Sequence, residues 1–347
     1  MCSVVEVVGE PFWLMCVDWD DLVARDPLTD SPYFKKDAFK SMGMAETGSA
    51  VRSSVVPFIV MGSLFVVVDL LALLLVGPFI DAGIFAFEDS GNPLNIAYFL
   101  LMILLATGVI LALGRFRGGR FVKWILFGII WFSLFSALYS LSFFVVDDPL
   151  AVSVSVICSL ALIASLVRWP RWYLIDASAI LLGTTTMVVI GISLSAPLVA
   201  ILLLGLAVYD AIAVYKTGHM LTLAELVINS GLPLMLIVPK MGGYGGNVVV
   251  KIRRGVPLAG EERRAFYMGL GDIVLPGCLA VSIYSSLGFG GLVVVGSVVL
   301  GTLVGFAMLS KFVSRGSPQA GLPFLCSGAV LGYVFSSVLL FGRIVGL

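Results

Sequence analysis

The chain has 347 residues, 60% hydrophobic and 12% charged, with a mean hydropathy of +1.10, which excludes an ordinary water-soluble domain. Its 21 Lys and Arg balance its 21 Asp and Glu, so a nucleic-acid partner has no electrostatic footprint. Five scattered cysteines and a single histidine, His219, exclude a His-Glu-x-x-His zinc site and suggest no disulfide framework; no metal and no cofactor is expected.

Residues 1–50 are the least apolar part, mixing Asp18, Asp20, Asp21, Asp26, Asp30 and Asp37 with Lys35, Lys36 and Lys40. They show no basic stretch followed by a short apolar core and a small-residue cleavage site, so no signal peptide is expected. The abrupt change in composition leaves open a biological start at Met42 or Met44, with the preceding stretch a gene-model artefact.

From Val55 onward, apolar runs of helix-spanning length alternate with short polar joints. The expected spans are 55–77, 95–114, 121–146, 150–168, 173–194, 196–217, 265–286, 289–311 and 321–343, an all-α polytopic membrane protein of nine transmembrane helices. Two bundles are expected, 55–194 (spans one to five) and 196–347 (spans six to nine), the second with a loop over 239–264. The segment from Leu221 to Val238, broken by Glu225, Asn229, Gly231 and Pro233, reads as a short interfacial or re-entrant helix.

Lys and Arg gather in alternate joints: Arg115 to Lys123, Arg168 and Arg171, the long joint from Lys216 to Arg264, and Lys311 with Arg315. The other joints carry acids or no charge. With nine spans, basic loops inside the cell make the amino end cytosolic and the carboxyl end external, and 239–264 a cytosolic loop.

Acids inside apolar runs call for a reason, because a charge there costs about 3 kcal/mol or more even on the lenient insertion scale. Asp69, in Val66-Val67-Val68-Asp69-Leu70, has no glycine or polar neighbour in sequence and reads as a carboxylate hydrogen-bonded to a neighbouring helix. Asp176, near Arg168 and Arg171, reads as an interfacial ion pair. Asp210 and Asp272 lie in spans of opposite direction, each about seven residues from the cytosolic end and therefore roughly 10 Å below that surface. Packed helices about 8–10 Å apart bring two such carboxylates within reach of one another. One then holds a proton while the other stays charged, the arrangement by which an acid pair activates water and protonates a carbonyl. A proton- or cation-coupled transporter or leak channel also uses intramembrane acids, and the carboxylates alone leave both readings open.

The flanking residues form motifs. Tyr209-Asp210 stands in the sixth span, Gly269-Leu270-Gly271-Asp272 in the seventh, and Ala320-Gly321-Leu322-Pro323 at the start of the ninth. In this order the motifs resemble the presenilin and signal peptide peptidase family of GxGD intramembrane aspartyl proteases, marked by Tyr-Asp, Gly-x-Gly-Asp and Pro-Ala-Leu. The resemblance covers Val55 to the carboxyl end and implies catalytic Asp210 and Asp272, with Tyr209, Gly269, Leu270 and Gly271 beside them. The third motif departs from the family, Ala320 and Gly321 standing where Pro and Ala are usual. The basic loops match the presenilin orientation, implying transmembrane-helix substrates of type I sense in the lipid bilayer. The short interval between spans six and seven is similar to that of compact microbial, notably archaeal, homologues, which implies no obligatory partner subunit; a homo-oligomer is compatible with this.

A transmembrane substrate must be unwound before it is cut, and its freed amides need partners in lipid. Pairing with a protein strand supplies them. Asn247 to Ile252, β-branched at Val248, Val249 and Val250 and flanked by glycines, is the expected strand, with Leu322 and Pro323 on the substrate's other side. The transporter alternative predicts duplicated spans, and the neighbourhoods of Asp210 and Asp272 show no convincing repeat.

Overall fold

A computed structural model of the chain describes residues 50–87, 89–102, 105, 109, 119–143, 146, 148–168, 172–212, 214, 235–239, 265–313 and 320–346. Among these, helices α1 (Ala50–Asp81), α2 (Gly119–Phe143), α3 (Asp148–Arg168), α4 (Trp172–Ser193) and α5 (Ala196–Ile212) precede two strands, β1 (Met235–Pro239) and β2 (Ala265–Gly269). Helix α6 (Leu270–Leu287), a 3-10 turn (Gly288–Gly291), α7 (Leu292–Val313) and α8 (Leu322–Phe341) follow. Residues 94–102 are also helical, so the expected second span is described only in part.

The helices are apolar around their whole circumference because the surface that does not pack inward meets hydrocarbon. Among the described residues, five stretches are long and apolar enough to cross a membrane: Phe58–Asp81, Pro149–Arg168, Tyr173–Ser193, Leu270–Phe312 and Leu322–Phe341. The fourth contains α6 and α7, joined where Gly288 at φ 55° adopts a conformation that other residues avoid.

The main core joins side chains of α1, α4, α5, α6, α7 and α8, including Phe65, Met187, Leu203, Ile273, Leu279, Val298, Leu325 and Tyr333. Helices α2 and α3 pack beside it around Ile130 and Leu134, where the Trp131 indole N–H donates to the Ser159 hydroxyl at 3.0 Å. With α6 the innermost of these helices, α4 approaches through Gly183, beside Leu270 and Val274, and through Gly191, beside Val281 and the Cys278 carbonyl. Helices α7 and α8 come closer still. A Cβ on Gly301 would overlap the Gly328 carbonyl, one on Gly305 the Phe324 carbonyl, and one on Gly332 the Ser297 carbonyl. Small residues permit such backbone contact, the usual basis of helix association where lipid removes the hydrophobic incentive.

The strands change three expectations. The fold is not all helical, because β1 and β2 pair antiparallel from Met235↔Gly269 to Pro239↔Ala265. Residues 235–238 are therefore strand and not part of an interfacial helix. The seventh span begins at Leu270 and not at 265, since the residues before it are engaged in the ladder. β-Branched and aromatic residues (Ile237, Val238, Phe266, Tyr267) suit that pairing. The expected strand at 247–252 lies outside the described residues.

Candidate active site

Asp210 lies in the last described turn of α5 and is buried, 5% exposed. Asp272 is the third residue of α6 and is partly exposed. The expectation that Asp272 lies about seven residues inside its span is thus corrected: β2 consumes the residues counted as helix. Gly269 is correspondingly not on a helix surface but caps α6 in extended conformation, φ −65° and ψ 136°. A Cβ on it would sit 3.5 Å from Asp272 Oδ2.

The start of α8 brings the two acids together. The Leu322 backbone N–H donates to Asp210 Oδ2 at 3.2 Å. That amide belongs to the first turn of a helix, where N–H groups lack partners and the helix dipole favours an anion. One residue earlier, a Cβ on Gly321 would lie 3.4 Å from Asp272 Oδ2 and 3.5 Å from its Cγ. The Gly321–Leu322 peptide therefore bonds one carboxylate and lies beside the other, and the two are close enough to feel each other's charge. Pro323 stands in the first turn of α8, where its missing N–H costs nothing. Ala320 is buried at 1% exposure, and Leu322 packs on the main core.

The other motif residues fall differently. Leu270 is buried against Gly183, and among the described residues nothing lies within 4 Å of where a Cβ on Gly271 would be. Tyr209 is 52% exposed, whereas the adjacent Asp210 is buried. Val248, Val249 and Val250 lie outside the described residues.

Two contacts depart from the sequence reading. Cys326, which the sequence reading did not single out, is buried in α8 within electrostatic reach of both Asp210 and Asp272. Its spacing of four from Leu322, one helical turn, is the signal that could have placed it there. Asp69, expected to be tied to a neighbouring helix by hydrogen bonds, has no such bond among the described residues; it lies against Gly277 of α6. Nothing local to Asp69 in sequence indicates that contact.

Fold and site together define an integral membrane protein whose helices set two carboxylates around one helix start. The signature described as signal-peptide peptidase, presenilin aspartyl protease matches residues 62–343, and the chain belongs to that family. It is an intramembrane aspartic endopeptidase by class. A presenilin family intramembrane aspartate protease solved in a P2 space group is similar at 31% identity and TM-score 0.61, covering 82% of this chain and 98% of that one. A structure of such a protease in a C222 space group is similar at 29% identity and TM-score 0.58, with the same coverages. Among curated proteins there is no match.

Proposed function

We propose that Asp210 and Asp272 are the catalytic pair of this protease and that they hydrolyse peptide bonds within transmembrane helices. The observation that carries this reading is the Gly321–Leu322 peptide lying against both carboxylates. One aspartate is ionised and takes a proton from water; the water oxygen bonds to the scissile carbonyl carbon as the other aspartate protonates the carbonyl oxygen. The resulting diol collapses, the C–N bond breaks, and the proton held by the first aspartate goes to the leaving nitrogen. A proton shared by two coupled carboxyls belongs to the pair and not to one member.

The layout is that of nine spans, amino end cytosolic and carboxyl end outside, with substrates of type I sense and no obligatory partner. An unwound substrate finds backbone partners at an edge of the β1–β2 ladder, which runs directly into the turn carrying Asp272. Room for it is left at Gly271, and Ala320 to Pro323 form the facing wall.

The test is cleavage of a single-span type I substrate by the purified full chain, comparing wild type with Asp210→Ala and Asp272→Ala. Both variants should fold and lose at least about a thousandfold in kcat/KM. A folded variant that still cuts would remove the dyad, and equal cleavage of a type II substrate would remove the orientation.

A further inference from the structure

The acid that this chemistry leaves unused is Asp69. It is the twentieth of 32 residues in α1 and only 5% exposed. Among the described residues its carboxyl has neither a hydrogen-bond nor an ion-pair partner. It faces the backbone of α6 at Gly277, where a Cβ would lie 2.6 Å from Asp69 Oδ1 and 2.6 Å from Met187 Sδ of α4. A side chain at 277 would require the ends of Asp69 and Met187 to shift, so in this arrangement α1 and α4 press those ends against α6 where it carries no Cβ.

The position of the grip matters because of the residue before it. Pro276 has no N–H, so the carbonyl of Asp272, four residues earlier, lacks its helical donor. The turn that carries Asp272 is therefore joined to the rest of α6 by fewer hydrogen bonds than usual. Immediately beyond that weak point, Asp69 and Met187 hold the helix. A carboxylate without partners between packed helices is more costly than the uncharged acid, and the grip suits the uncharged form.

Among the described residues, no titratable group gives Asp69 a counter-charge. Elements α2, α4, α6, α7 and β1 pack against α1. At the level of Asp69, α6 presents the Cys278 thiol, within electrostatic reach. The remaining titratable residues lie near helix ends: Arg120, Lys123 and Tyr139 in α2, Tyr173 and Asp176 in α4, Asp272 and Tyr284 in α6, and Lys311 in α7. β1 has none.

We propose that Asp69 is a positioning residue for Asp272: as an uncharged acid it seats the Pro276–Gly277 stretch of α6 against α1 and α4, and its ionisation unseats that stretch. This rests on the reading of Asp272 as catalytic. Ionisation of Asp69 then switches the protease off on the alkaline side without any change in the dyad itself.

The experiment is cleavage of a single-span substrate by the full chain in liposomes, with kcat and KM measured across pH. Asp69→Asn keeps the shape and removes the ionisation. It should cut within about threefold of wild type at low pH and stay active to higher pH than wild type. Gly277→Ala, which crowds the grip, should lose at least about tenfold in kcat with KM little changed; should it fail to fold, Asp69→Asn decides alone. An Asp69→Asn profile that coincides with wild type overturns the proposal. So does a shift of the alkaline limb to lower pH, the sign expected if a charged Asp69 acted through its field on the dyad. Complete loss in folded Asp69→Asn overturns it as well. Asp272→Asn measured alongside separates the two levels: if that variant cuts, the dyad reading has failed, and if it is dead the Asp69 profile judges this inference by itself.

Discussion

Gly305→Ala tests whether helix contact far from the chemistry positions the carboxylates. The new Cβ would overlap the Phe324 carbonyl oxygen, and would lie 2.9 Å from Phe324 C and 3.2 Å from Leu325 Cα. Both neighbours are backbone atoms of a helix, so no rotamer change relieves the clash, and α7 and α8 must separate by on the order of 1 Å. Phe324 is two residues from Leu322, whose N–H reaches Asp210 at 3.2 Å, the long end of the usual range. An added ångström breaks that bond and draws Gly321 away from Asp272. Overpacking should cost about 1–3 kcal/mol of stability. Misplacement by an ångström should lower kcat/KM by about a hundredfold. The assay is substrate cleavage in liposomes beside thermal unfolding in detergent. Gly296→Ala is the control, because it lies on the same helix with nothing within 4 Å of its Cβ position, and it should be neutral or slightly stabilising. Gly305→Ala cutting within about twofold of wild type, or Gly296→Ala doing equal harm, would refute the reasoning.

Gly271→Ala adds a methyl where the protein leaves open space; the helix should gain slightly in stability while cleavage falls about tenfold or more, and unchanged cleavage would show that substrate does not occupy the space. The Tyr333 hydroxyl donates to the Val345 carbonyl and ties the last residues to α8. Tyr333→Phe leaves that buried carbonyl unpaired and should cost about 1–2 kcal/mol in thermal unfolding, whereas unchanged stability would mean the bond does not hold the tail.

Much of the site was legible because its signals are local. An acid in an apolar run declares itself by cost, and Asp210 and Asp272 drew notice for that reason before any tertiary contact was known. Leu322 and Pro323 were visible as a helix start. The contact made there was not, because it uses a backbone N–H that any residue carries and depends on where α5 ends. The seventh span began five residues late for a related reason: Ala265 to Met268 are apolar enough to join a helix, and only the presence of β1 opposite draws them into a ladder.

Hydropathy by itself determined that this chain crosses a membrane in helices, since a backbone in hydrocarbon must satisfy its own polar groups within a segment. Motif order pointed to the family, and the structure sets Asp210 and Asp272 of those motifs beside one helix start. Tertiary structure alone decided which helices are neighbours, because in lipid an apolar face packs equally well on lipid or protein, and shape settles the matter. The glycines of α7 and α8 allow a backbone contact that sets the Gly321–Leu322 peptide against both acids. The missing side chain at Gly277 lets α1 place Asp69 against α6. Such complementarity belongs to pairs of surfaces distant in sequence, and no property of a single segment contains it.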